Sequence, residues 1–277
     1  MGGGRFLGYF TLAMTAMKME AVFDRFLGTT RELRMIEDLL HSIAPQWASG
    51  LNVRTASGRR ISAEGPSSLA EASLHEATAR GPVYAALMEQ DGTPPSERVR
   101  GSVEWRGSSG ALVVEVMLDE SIFAPIAGAR IPGNYVALQV RGKRVEGVLA
   151  NGWVRQSFNT MCEDTRPAWA SASTTEEYRT KVLRDGSATE ARDFSSHLPG
   201  IFWLNFFGPN YCQSSGKARI LTAPAETKEL GGGVVISLHE DPAAWDTAEY
   251  KERERRVLDH IGRDHFYRNG THRTQAG

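Results

Sequence analysis

Cys212 and Cys162 are the side chains of this sequence best suited to nucleophilic chemistry. Cys212 follows Gly208-Pro-Asn-Tyr211 and fits the first turn of a helix, a position that favours a thiolate. Cys162 precedes Glu163 and Asp164, whose negative charges disfavour one. A catalytic cysteine also needs an oriented base and an oxyanion hole, and no family cysteine motif surrounds either residue. A structural thiol is therefore the favoured interpretation of both.

His239-Glu240-Asp241 places three metal-binding side-chain types in a row. Adjacent residues of an extended segment point to opposite sides, so no more than two of the three could share one ion. His260 and His265 are five residues apart, which does not put them on one helix face. We therefore predict no metal site, and Asp241 in front of a proline fits a helix cap instead.

Gly231-Gly-Gly233 is a glycine run that invites comparison with a phosphate-binding loop. It precedes a predicted strand, whereas a phosphate loop follows a strand and opens a helix. The sequence also lacks the Gly-x-Ser-x-Gly elbow of serine hydrolases. We predict no catalytic residue, no cofactor-binding residue and no cofactor. The alternative hypotheses are a small hydrolase or transferase that uses Cys212, His239 and Asp241, and a structural accessory protein.

Helix and strand patterns alternate irregularly along the first half of the chain. Thr29-x-x-Glu32 is a capping box, and it predicts a helix that ends at Pro45. Alternating apolar residues over 99–118, interrupted by Gly107-Ser-Ser-Gly110, predict a hairpin. The run Tyr135–Val140 is the next predicted strand.

The second half continues in the same style. Apolar spacing predicts a helix over 152–163, and Thr174-x-x-Glu177 is a second capping box that opens a short helix. Further predicted elements are the strands Trp169–Ser173, Ile201–Phe207 and Gly231–Leu238, and a last helix that starts at Asp241-Pro242 and turns Tyr250, Val257, Leu258 and Ile261 inward.

This order of elements predicts an α+β fold, with a largely antiparallel sheet and helices packed on one face. We expect a frayed or mis-called N-terminal tail over 1–18, a single domain over 19–267 and a loose tail over 268–277. A division into two similar subdomains near residues 141–152 is the alternative organisation.

Composition bounds the function only loosely. Apolar residues make up 41% of the 277-residue chain and charged residues 23%. These values exclude a chain that is disordered, collagen-like or coiled-coil over its whole length. The formal net charge of −1 argues against a nucleic-acid partner and against an anionic membrane surface. Two cysteines are mild support for a reducing, cytoplasmic location.

The most specific string of the chain is Leu198-Pro-Gly-Ile-Phe-Trp-Leu-Asn-Phe-Phe-Gly-Pro-Asn-Tyr211. It predicts an aromatic strand that ends at a Gly-Pro pair, then a helix, and a Gly-rich strand and a final helix follow downstream. Earlier features in the same series are Ile43-Ala-Pro-Gln-Trp47, Trp105 in the hairpin and Arg166-Pro-Ala-Trp169.

Taken in order, these features resemble the immunity protein 52 family of bacterial polymorphic-toxin systems. A type VI secretion immunity family, formerly a domain of unknown function, is the second choice. The resemblance covers roughly residues 20–267 and implies a cytoplasmic protein that neutralises a cognate toxin by binding it, without catalytic residues or a cofactor and with the oligomeric state left open. The residues that carry it, as core or as interface, are Trp203, Asn205, Phe207, Gly208, Pro209, Tyr211, Trp169 and Pro167.

Overall fold

The structure is a computed structural model. The residues that it describes are 17–23, 35, 38–39, 51–55, 60–63, 99–107, 110–118, 135–141, 152–182 and 198–266, and for 51–118 the description is of the backbone. Within these ranges, Met35, Asp38 and Leu39 are helical and lie in the helix predicted after Thr29.

Ten described strands form one continuous sheet, in which every pair of neighbours is antiparallel. They are β1 (Met17–Val22), β2 (Leu51–Thr55), β3 (Arg60–Ala63), β4 (Val99–Gly107), β5 (Gly110–Leu118), β6 (Tyr135–Arg141), β7 (Trp169–Thr174), β8 (Leu204–Phe207), β9 (Glu226–Leu230) and β10 (Gly233–Ser237). Their order across the sheet is β3-β2-β4-β5-β6-β1-β7-β8-β10-β9.

β1 joins the two halves of this sheet. It pairs with β6 on one side, with Met17 opposite Val140, and with β7 on the other, with Val22 opposite Trp169. Met17 and Lys18, which the sequence analysis assigned to the tail, therefore belong to a central strand. The rest of that tail, the segment 142–151 and the predicted tail 268–277 lie outside the described residues.

The α-helices whose bounds the structure describes all follow residue 152. They are α1 (Trp153–Thr165), α2 (Thr175–Val182), α3 (Pro209–Ser215), α4 (Lys217–Leu221) and α5 (Ala248–Ile261), with 3₁₀ helices at Pro242–Asp246 and Arg263–His265. The hairpin over 99–118, the strand at Tyr135, the helix before Pro167 and the strand and helix on either side of Thr174 are confirmed.

Helices cover both faces of the sheet. Side chains alternate along a strand, so Trp169 and Phe207 share one face, and they pack in one core cluster with α3, α4 and α5. Phe206 points to the other face, and the strand register places Glu226 on the same face as Phe206. Helix α1 packs there, because its residue Arg155 bonds Glu226. The predicted α+β class and antiparallel sheet are confirmed. The helices occupy both faces, however, and β7 is buried along its whole length as a result.

β8 is shorter than the strand predicted over Ile201–Phe207. Only Leu204–Phe207 is extended and paired. The reason is the side chain of Asn205, which accepts a hydrogen bond from the backbone N–H of Phe202 at 2.8 Å and donates one to the carbonyl of Phe202 at 2.7 Å. Both backbone groups of Phe202 are thereby satisfied outside the sheet ladder.

Two other elements differ from the sequence-based prediction. β9 was not predicted, because its exposed sequence Glu-Thr-Lys-Glu-Leu lacks an apolar alternation, and Gly231 and Gly232 form the turn that joins it to β10. The last helix starts later than predicted. Asp241 caps the 3₁₀ helix through Ala243, and Thr247 then caps α5 through the N–H of Tyr250.

Asn205→Leu tests the backbone role of this amide. Leucine has a similar size but leaves the buried N–H and carbonyl of Phe202 without their partner, so we expect the free energy of unfolding to fall by about 2–4 kcal/mol. Urea denaturation measures it. Gln213→Leu, at an exposed position of α3, is the control and should change it by less than about 0.5 kcal/mol. Equal losses in both variants would contradict the assigned role.

Candidate functional site

The aromatic residues that carry the family resemblance lie in the core. Trp169, Phe207 and Tyr211 belong to one buried cluster, and the rings of Trp169 and Phe202 meet at a centroid distance of 6.1 Å. Trp203 is also buried, at 3% exposure. These rings contribute to stability through the area that they remove from water. They are not exposed to a partner.

Gly208 and Pro209 serve the tight crossing at the end of β8. A Cβ at Gly208 would lie 2.3 Å from the carbonyl oxygen of Pro167 and 2.6 Å from that of Ala168, so only glycine fits there. The Gly208 N–H donates to the Ala168 carbonyl at 2.9 Å. Pro209 then occupies the first turn of α3 and is exposed, where its fixed φ suits a helix start. The string is thus a packing motif.

Trp203 and Arg155 both donate hydrogen bonds to one backbone carbonyl in the segment after β10, that of His239. The Nε1–H of Trp203 donates to this carbonyl at 2.7 Å, and Arg155 donates to it at 3.3 Å. The Arg155 guanidinium also lies 5.7 Å from the Trp203 ring centroid and pairs with Glu226 at 3.1 Å. This cluster fixes α1, β8 and the β10 end relative to one another.

Cys212 is poorly placed for nucleophilic chemistry. Its thiol is buried in the core cluster and donates to the carbonyl of Phe207 at 3.2 Å. Burial raises the pKa of the Cys212 thiol, and the nearby Lys217 opposes this rise only in part. Burial also raises the pKa of Cys162 well above its usual range. Both cysteines are free thiols, and both are held in the protonated form.

The structure does not bring Cys212 together with His239 and Asp241. Cys212 follows the Phe207 end of β8, whereas His239 is bonded beside Trp203, at the opposite end of the same strand. Four strand residues separate these ends by roughly 10 Å. His239 instead accepts from the N–H of Asp241 at 3.0 Å, and Asp241 caps a 3₁₀ helix.

Ionisable groups with ligand chemistry are dispersed in the described part of the chain. Within it, no three side chains of His, Cys, Asp or Glu stand close enough together to hold a metal ion. The described helices also do not include one with the length and hydropathy that crossing a bilayer requires. One histidine contact, Ser215 Oγ to His265 Nδ1 at 3.4 Å, joins α3 to the last 3₁₀ helix.

A buried charged network between α2 and α5 was not predicted from the sequence. Glu177 is fully buried, and its Oε1 accepts from the Tyr250 hydroxyl at 2.6 Å and from Lys181 at 2.8 Å. Lys181 also pairs with Glu254 at 2.9 Å and lies over the rings of Phe202 and Tyr250. The capping box correctly marked Glu177, whose N–H bonds Thr174 Oγ1, but could not show that its carboxylate enters the core.

This network perturbs the protonation of Glu177 and Tyr250. The second carboxylate oxygen of Glu177 has no hydrogen-bond partner among the described residues. Burial raises the pKa of Glu177, against the opposing effects of the Lys181 charge and the hydrogen bonds from Lys181 and Tyr250. Burial and the adjacent carboxylate raise the pKa of Tyr250 as well. The network joins α2 to α5, with Glu177 and Tyr250 buried and Lys181 and Glu254 partly exposed, and we assign it a structural role.

Comparison with solved structures shows a likeness in fold. Neither a protein-family model nor a curated protein sequence matches the chain. Among solved structures, the chain is similar to a Pseudomonas aeruginosa type VI secretion system protein, PA0821, with a TM-score of 0.58. The alignment covers 91% of this chain and 74% of that chain at 12% sequence identity. At this identity the likeness shows a shared α+β fold.

Thiol reactivity tests the assignment of the two cysteines. Because both are buried and protonated, we expect iodoacetamide near neutral pH to leave native Cys162 and Cys212 unmodified while both react in denaturant. Mass spectrometry of the time course measures this. Rapid, stoichiometric alkylation of native Cys212 would show a reactive thiol and would revive the hydrolase or transferase hypothesis.

Glu177→Gln tests the buried carboxyl. A folded-state pKa raised above the unfolded value, about 4.3, gives a stabilising contribution that is complete below that value and is lost as pH rises through the folded pKa. The wild-type free energy of unfolding, minus that of the variant, should therefore decrease as the pH rises above about 4. Urea denaturation at each pH measures it, with Glu176→Gln on the exposed side of α2 as the control. A difference that rises with pH would show that Lys181 outweighs burial.

Proposed function

We propose that this chain is an immunity protein of a type VI-related polymorphic-toxin system, and that it neutralises a cognate toxin in the cytoplasm by forming a specific complex. The observation that carries the proposal is the fold likeness to a type VI secretion system protein over 91% of this chain. The ordered resemblance of the sequence to an immunity family supports it from an independent direction.

The placement of the motif residues favours binding through another surface. Trp203, Phe207 and Tyr211 are buried, so a toxin could reach them only after local unfolding. They act as the scaffold, and the contacts belong to exposed side chains and strand edges. A specific complex of this kind buries about 1,600 Å² in total and depends on a few central anchors.

Inhibition without catalysis is part of the same proposal. A hydrolase or transferase would need a nucleophile and a base within hydrogen-bond reach of each other. The structure instead holds the Cys212 thiol against a strand carbonyl and uses His239 in a backbone turn. These placements support a protein that acts by occupying a surface of its partner.

Co-expression is the direct test. Each neighbouring reading frame that is toxic alone would be expressed with this chain, and survivors would be analysed by pull-down and size-exclusion chromatography. We expect one neighbour to be neutralised and to co-purify as a stoichiometric complex. Cys212→Ala and His239→Ala should both keep the rescue, because neither residue is expected to act on a substrate.

Three outcomes would count against the proposal. The first is that no neighbouring gene product is toxic, and the second is that growth is restored without a complex. The third is that Cys212→Ala or His239→Ala abolishes rescue while the protein remains folded by circular dichroism, which would support an enzymatic activity.

A further inference from the structure

β9 is the strand at one edge of the sheet. Among the described strands it pairs with β10 alone, and its residues Glu226, Lys228 and Glu229 are exposed. An edge strand presents unpaired N–H and carbonyl groups, onto which a strand of another protein can add.

The geometry of the turn determines which backbone groups of β9 face outward. Gly231 and Gly232 have φ angles of 55° and 85°, and two positive φ values in a two-residue loop define a type I′ hairpin turn. The pair that flanks such a turn, Leu230 with Gly233, exchanges both backbone hydrogen bonds, and bonded and non-bonded pairs then alternate. Thr227 and Glu229 therefore direct their N–H and carbonyl groups away from β10.

Close packing holds this edge in place before any partner arrives. A Cβ at Gly231 would lie 2.9 Å from the carbonyl oxygen of Cys162, so the turn presses on the end of α1. A Cβ at Gly233 would lie 2.3 Å from the Phe207 carbonyl oxygen, so β10 is equally tight against β8. A pre-ordered edge lowers the entropy that a partner strand must lose on binding.

Charges beside the edge indicate what kind of strand fits. Glu226 and Glu229 are already paired, with Arg155 at 3.1 Å and with Lys217 at 2.8 Å. In contrast, Lys228 on the strand forms no ion pair with any described residue. A partner side chain opposite Lys228 is therefore favoured if it is acidic.

The end of the edge next to the turn has the opposite preference. Glu163 and Asp164 lie exposed in the last turn of α1, form no ion pair with the described residues, and have no basic residue in that turn. The next basic residue is Arg166 at the C-cap, two positions after Asp164. The helix C-terminus adds about half a negative charge to this end. Two neighbouring carboxylates beside the negative end of a helix favour a further cation from a partner.

We propose that the cognate toxin adds an extended segment to β9, with a Lys or Arg next to Glu163 and Asp164 and an acidic residue opposite Lys228. This inference rests on the proposed function and names the surface that performs it. The backbone hydrogen bonds of Thr227 and Glu229 supply affinity, and the two charge positions supply register and specificity.

Paired variants separate the backbone contact from the charge at Glu229. Glu229→Pro removes the outward N–H without removing a bond to β10, and Glu229→Thr removes the same carboxylate but keeps the N–H. The probe is a catalytically inactive form of the toxin that the co-expression test identifies. We expect Glu229→Pro to weaken Kd at least about tenfold relative to Glu229→Thr, by calorimetry. Equal affinities would overturn the proposal.

Charge reversal tests the other contact. Glu163→Lys with Asp164→Lys should slow association about tenfold or more at low salt, and the slowing should fade as salt is raised. Glu252→Lys with Asp259→Lys, at two exposed positions of α5, reverses the same number of charges on the opposite face and should leave the rate near that of the wild type. Identical rates for both variants would remove the charge contact from the proposal.

Hydrogen exchange keeps the proposal testable should Glu229→Pro fail to fold. In the wild-type complex, the amides of Thr227 and Glu229 should exchange at least about tenfold more slowly than in the free protein. Unchanged exchange in a stoichiometric complex would show that the toxin does not bind at β9, while leaving the proposed immunity function intact. Protection in the free protein that grows with its own concentration would assign the edge to a second copy instead. Absence of any neutralised toxin would remove the proposed function and this inference with it.

Discussion

The insertion of β1 between β6 and β7 is the constraint on which the described architecture depends. β1 accepts and donates strand hydrogen bonds on both sides, to partners that follow it by more than a hundred residues. Its side chains are almost all buried, so it also contributes to the hydrophobic core. Such non-local pairing costs loop-closure entropy before any contact is gained, and it makes folding cooperative across the two halves of the sheet. A change that displaces β1 would separate those halves.

Close approach governs the second half of the sheet. Gly208 and Gly233 let β8 come against the backbone that precedes β7 and against β10, at distances that exclude any Cβ. Asn205 completes this region by bonding both backbone groups of Phe202, so that the chain can leave the sheet inside the core without an unpaired peptide group. The charged link from Glu177 to Tyr250 and Lys181 then fastens α2 to α5 over the same core.

A well-packed core and an exposed edge strand with charged side chains beside it suit the proposed function of binding a partner. The aromatic string has no access to a partner, and its strength as a sequence motif comes from packing. The edge strand β9 has the opposite character: its sequence is polar, most of its side chains are exposed, and no described strand pairs with its outer side. Binding through backbone groups places few demands on side-chain identity, and specificity can then reside in a small number of charges.

The sequence by itself determined the α+β class, the hairpin over 99–118, the strands at Tyr135 and Trp169, and the caps at Thr174 and Asp241, because each follows from local periodicity or capping chemistry. It did not determine that helices cover both faces, that β9 exists, or that Glu177 is buried. Those features depend on strand order and on contacts between residues far apart in the chain. The family resemblance marked the string around Trp203, but only the tertiary structure decided that the string is core. Burial depends on what packs against a residue, and a motif does not record that.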